Sequence, residues 1–214
     1  MPESLLEGAL SDDALASFGQ RPFGIYVHVP WCSSRCGYCD FNTYVPGALA
    51  RVGPASFADD AIAEIRLARR SLGVADVPVS TVFFGGGTPT LLPAADLGRI
   101  LAAIGAEFGL AADAEVTTEA NPESVSAPYL AELRHAGFNR VSLGMQSAVT
   151  SVLRVLDRQH TPGRAVAAAQ EAFDAGFEQV SLDLIYGSPG ETDEQWQESL
   201  SAALSTNPTH ISAY

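Results

Sequence analysis

AGFNRVSL at residues 136–143 recurs as AGFEQVSL at residues 175–182, a displacement of 39 residues. Each copy reads as a helix end, a glycine suited to the C-cap, a hydrophobic anchor and the start of a strand. That period is the length of one strand plus one helix. The same alternation extends outward in both directions. Strands are expected at residues 24–29, 79–84, 115–120, 139–145, 178–186 and 209–214. Helices are expected at 56–72, 96–108, 127–136, 161–175 and 193–204, the first marked by Phe57, Ala61, Ile65 and Leu72 and ended by Gly73. Near-continuous apolar strands alternating with helices predict a parallel sheet covered by helices. Five such units and a sixth strand are too few for a closed eightfold barrel. The fold class is therefore α/β, a partial, open parallel β/α barrel. The chain stops at Tyr214 inside the sixth strand, and is expected to be a fragment of a longer protein.

Composition narrows the function. The 214 residues are 47% hydrophobic, enough for one domain with a proper core. Net charge is −13, with no lysine and twelve arginines, which argues against nucleic acid as a partner. No apolar run approaches the roughly 20 residues that span a bilayer. Residues 1–20 include SLLEGAL but are acidic and lack the basic start of an export signal, so a cytoplasmic location is expected. Residues 1–22 read as an N-terminal extension, and 23–214 as the functional core. Residues 43–54 are turn-rich, with Pro46, Gly47 and Gly53.

All three cysteines fall in one stretch, YVHVPWCSSRCGYCDFN at residues 26–42. Pro30 ends the strand before it, so Cys32, Cys36 and Cys39 lie on a loop at a strand end. Three cysteines cannot pair off as disulfides, whereas thiolates at this spacing can converge on one inorganic centre. Three ligands for a four-iron cluster leave one iron open to a small molecule. A zinc site that adds His28 is the competing arrangement. In a parallel β/α fold functional groups gather at the C-terminal strand ends. Those ends here carry the cysteine loop, the glycines of GGGTPT (residues 85–90), Glu119, Gln146, Asp183 and Tyr186. The glycine run also suits a plain strand-to-helix turn, and Glu119 also suits a buried acid paired with an arginine. His135, His160 and His210 form no triad with the cysteines.

C-x3-C-x2-C with an aromatic, Tyr38, before the last cysteine resembles the cluster loop of radical S-adenosylmethionine (SAM) enzymes. The wider string, with GGGTP and residues 156–160 (LDRQH), resembles the oxygen-independent coproporphyrinogen oxidase group and its relatives, the radical-SAM haem chaperones. The likeness runs from about Phe23 to the end of the chain. It implies the radical SAM type of open barrel, followed in such relatives by a further domain. It implies a [4Fe–4S] cluster on Cys32, Cys36 and Cys39. It also implies SAM contacts at Tyr26, Tyr38, Gly86, Gly87, Thr88, Glu119, Gln146, Arg158 and Asp183, some of which serve a second SAM in the oxidases. The implied chemistry is one-electron cleavage of SAM to a 5′-deoxyadenosyl radical, with no side chain as acid, base or nucleophile. The oxidases carry a fourth cysteine two places after the third, where this chain has Phe41. With CDFNTY, that favours the haem chaperones. Haem or a porphyrinogen, haem-acceptor proteins and an electron donor are the partners this resemblance implies.

Overall fold

The computed structural model describes residues 10–45, 53–73, 77–159 and 161–214. All of SLLEGAL but its last leucine, together with Pro46, Gly47 and His160, lies outside the described residues. Six strands form one parallel sheet in chain order. They are β1 (Phe23–Val29), β2 (Val79–Gly86), β3 (Leu110–Ala120), β4 (Arg140–Gln146), β5 (Gln179–Leu184) and β6 (His210–Ala213). The intervening helices are α2 (Phe57–Leu72), α3 (Ala94–Phe108), α4 (Ala127–Ala136), α6 (Arg164–Asp174) and α7 (Asp193–Ser205). Each packs on the next, so they cover one face of the sheet.

The two copies of the repeat lie side by side. Val141 pairs with Val180, Ser142 with Ser181 and Leu143 with Leu182. Their helix ends close in the same way. Phe138 N donates to Leu133 O at 3.1 Å, and Phe177 N donates to Ala172 O at 3.1 Å. Gly137 and Gly176 supply the positive φ, 109° and 92°, that this closure needs. Both phenylalanines are then driven into the core.

The strands are less uniformly apolar than their sequences suggest. Val82, Phe84, Val116, Val141, Leu143, Val180 and Leu182 are buried in the hydrophobic core. The alternate positions, among them Glu119, Ser142, Gly144 and Asp183, line a cavity on the other face. Period-two alternation is the rule for a strand with two different surroundings. In an open barrel the inner face is the ligand's side, and it stays polar.

Two helices escape sequence periodicity because each has only six residues: α1 (Asp12–Ser17) and α5 (Thr150–Val155). The first is capped by the Ser11 hydroxyl and buries nothing. The second carries the chain from β4 to Arg158. β3 also begins earlier than expected, at Leu110 rather than residue 115: Leu110 pairs with Val79, and the register then shifts before Glu115 meets Thr81.

Candidate functional site

The cysteine loop leaves β1 and is pinned to its neighbours at several points. Tyr44 N donates to Pro30 O at 2.7 Å and Cys32 N to Tyr44 O at 3.0 Å, closing the loop's base. Gly87 N donates to Val29 O at 2.8 Å and Thr88 N to Trp31 O at 2.7 Å, tying the base to the end of β2. Trp31 is fully buried beneath it. The far side is held by the turn after α5. Gly37 N donates to Leu156 O at 3.1 Å, and Arg158 Nη1 approaches Cys36 Sγ at 3.5 Å. Gly37 fits because a Cβ there would lie 2.6 Å from the Asp157 carboxylate. Leu156, Asp157 and Arg158 thus act as a wall of the cysteine loop.

Cys32, Cys36 and Cys39 are free, half-buried and line one cavity of about 360 Å³. Burial pushes the Cys32 thiol up, against hydrogen bonds from the Thr88 and Thr43 hydroxyls. His28 is spoken for: Nε2 lies 2.9 Å from Asn42 O and Nδ1 lies 3.0 Å from the Tyr26 hydroxyl. Among the described residues no three His, Cys, Asp or Glu side chains gather as ligands of a single ion. Three thiols facing a shared cavity fit a cluster whose irons are separate centres, each taking its own cysteine. They do not fit a zinc set completed by His28.

The same cavity gathers Tyr38, Gly86, Gly87, Thr88, Glu119, Gln146, Arg158 and Asp183. Tyr26 stands outside it, one layer down the sheet, its ring stacked on Phe83 at 6.1 Å. Burial raises the Tyr38 phenol, so that hydroxyl stays protonated. Gln146 sits at φ 64°, beside a register shift between Gly144 and Gln146. A left-handed non-glycine residue costs roughly 1–2 kcal/mol and is tolerated where the position has a use.

Within the glycine run, Gly87 serves the packing of the cysteine loop. At Gly87 a Cβ would meet Trp31 O at 2.5 Å. Gly86 N donates to Glu119 Oε2 at 3.1 Å, so Glu119 is held by a backbone amide and not by a guanidinium. Asp183 accepts from the Ser142 hydroxyl at 3.0 and 3.1 Å on its two oxygens. Ser142 was missed in the sequence; its one signal is its place as a polar residue within the repeat. Burial raises the Asp183 carboxyl, opposed by Ser212, Ser142, Arg140 and His210. Burial also pushes Glu119 up to about 7, with the Gly86 amide opposing and Asp183 adding to the rise.

That shift has a measurable sign. Unfolded, Glu119 loses its proton near 4.5, whereas folded it keeps it to about 7. Between those values the native state binds more protons, so stability falls as pH rises through that window. Full ionisation should cost on the order of 2 kcal/mol after allowance for solvent screening. Glu119→Gln is expected to flatten the slope and to be more stable than wild type at pH 8, in urea denaturation of the cofactor-free protein. An unchanged slope between pH 5 and 8 would contradict this environment for the carboxyl.

The model of the radical SAM superfamily matches residues 26–203. A heme chaperone HemW from Mycobacterium tuberculosis is 52% identical over 201 residues, covering 94% of this chain and 51% of that protein. The Escherichia coli heme chaperone HemW is 38% identical over 195 residues, 90% of this chain and 50% of that protein. The oxygen-independent coproporphyrinogen III oxidase of Salmonella typhimurium is 33% identical over 208 residues, 97% of this chain and 45% of that protein. The solved structure of the Escherichia coli coproporphyrinogen III oxidase (HemN) superposes with a TM-score of 0.81 at 31% identity. It matches all of this chain and 50% of that one. The chain thus spans about half the length of the curated relatives it matches.

Proposed function

The chain belongs to the radical SAM superfamily, and from that premise we propose that it works as a haem chaperone, binding haem and passing it to acceptor proteins. One observation carries the choice: likeness to the heme chaperones reaches 52%, against 33% to the oxidase over a similar stretch. Phe41 supports it. This residue lines the mouth of the cavity and is 64% exposed, where the oxidases place a further cysteine.

In this reading Cys32, Cys36 and Cys39 hold a [4Fe–4S] cluster with one iron free of protein. SAM lies against Gly86, Gly87, Thr88, Glu119, Gln146 and Asp183. When bound, the pair supplies one-electron chemistry at a carbon–sulfur bond. The protein's own part is to place and shield. Glu119 and Asp183, ionised, would accept from ammonium and ribose hydroxyl groups, and Arg158 would face a carboxylate. Because Glu119 takes up a proton near pH 7, affinity for a cationic ligand should weaken as pH falls below that value. An electron donor and a cytosolic location, where thiols stay reduced, complete the proposal.

Two measurements test it. Glu119→Ala and Asp183→Ala should each weaken SAM binding roughly ten- to hundredfold in calorimetry, since a hydrogen bond to a charged group is worth about 1.5–3 kcal/mol. Their iron and sulfide content should match wild type; unchanged affinity in both would remove SAM from this rim. For the chaperone itself, the full-length protein is incubated anaerobically with SAM, reductant and either haem or coproporphyrinogen III. Haem binding without decarboxylation is the expected result. Multiple turnovers to protoporphyrinogen would establish the oxidase instead.

A further inference from the structure

The cavity that holds the cysteines opens into a second, larger one. The two share Ser33, Ser34, Arg35, Asn121 and Arg158. The second, about 820 Å³, runs between the cysteine loop and α5. That volume is within the range of small-molecule and cofactor sites. Its charge is out of keeping with the chain. A protein of net charge −13 has twelve basic residues in all, and three of them, Arg35, Arg154 and Arg158, line this groove.

Two carboxylates also line it, and both have other work. Glu123 accepts from Thr161 N, and Asp157 packs over Gly37. The guanidinium of Arg158 is turned toward the first cavity, with Nη2 donating to Gly144 O at 2.9 Å and Nη1 near Cys36. Arg154 stands exposed on α5, one turn before it. Arginine is the side chain suited to forked recognition of carboxylates.

We propose that this groove seats the propionate edge of a tetrapyrrole, with Arg154 and Arg35 as its carboxylate contacts. The proposal rests on the haem-chaperone reading and adds to it the place where the cargo's acid groups dock. The macrocycle then lies beside the cysteine loop, whose Ser33, Ser34 and Arg35 line both cavities.

The test compares haem with its dimethyl ester, whose propionates carry no charge, in absorbance titrations of the full-length, reconstituted protein. Wild type should bind the free acid about tenfold or more tightly than the ester. Arg154→Gln should weaken haem binding about tenfold and leave the ester unaffected, with cluster content and SAM affinity at wild-type levels. Arg154→Lys, which keeps the charge, should recover part of the loss. If wild type binds acid and ester equally and Arg154→Gln changes neither, the groove is not the propionate site, while the chaperone reading stands. If wild type binds no haem at all, both fall.

Discussion

Alanine at Cys32, Cys36 or Cys39 is expected to leave only background iron and acid-labile sulfide after anaerobic reconstitution, against about four of each per chain in wild type. The three thiols come from one loop and share one cavity. His28 is engaged through both ring nitrogens and so is held back from taking the place of a missing cysteine. The loop's fold should survive the change, because its hydrogen bonds run through backbone atoms of Pro30, Cys32, Gly37 and Tyr44. Circular dichroism would therefore stay near that of the wild type while the cluster's visible absorbance vanishes. A single-alanine variant that keeps its cluster, or a wild type that loads stoichiometric zinc without sulfide, would sink the assignment.

The second large effect belongs to a residue with no side chain. Gly87→Ala places a methyl group 2.5 Å from Trp31 O, 2.9 Å from Trp31 C and 3.0 Å from Pro30 C. All three neighbours are backbone, so none can swing aside. The loop base must lift from β2, which strains Gly87 N to Val29 O and Thr88 N to Trp31 O. Overpacking of this kind costs roughly 3 kcal/mol. Because Cys32 directly follows Trp31, cluster content should fall together with the melting temperature. Gly53→Ala serves as the control, since nothing lies within 4 Å of its Cβ and its φ is ordinary. Wild-type stability and iron content in Gly87→Ala would show that the loop and β2 are not in such close contact.

Much of this was legible in the sequence because it is written locally. The repeat around Phe138 and Phe177 carries its own capping glycine and strand, so β–α alternation follows from short windows. The cysteine spacing is likewise local. What could not be read depends on partners distant in the chain. Asp183 among apolar neighbours shows that a partner must exist, but not that it is Ser142 on the adjacent strand. The resemblance names Arg158 as a SAM contact, but its approach to Cys36 shows only in the fold. Tyr26 matches a ligand-contact position by resemblance, yet in the fold its hydroxyl is held by His28 and its ring lies outside the cavity. The short helix α5 has too few residues for a period to emerge.

Strand order equal to chain order also sets a timetable. Neighbours in space are neighbours in sequence, so the sheet can be laid down strand by strand as the polypeptide leaves the ribosome. The base of the cysteine loop needs only β1 and β2 and is complete early. Its far wall is different: Arg158 and Cys36 are 122 residues apart in the chain. At roughly 5–20 residues per second, translation leaves an interval on the order of ten seconds between the two. Once Gly87 and Thr88 have emerged and tied down the base, the three thiols are anchored on one side and uncovered on the other until Arg158 follows. That is when a nascent chain is most open to receiving its iron and sulfide, and also most vulnerable to oxygen.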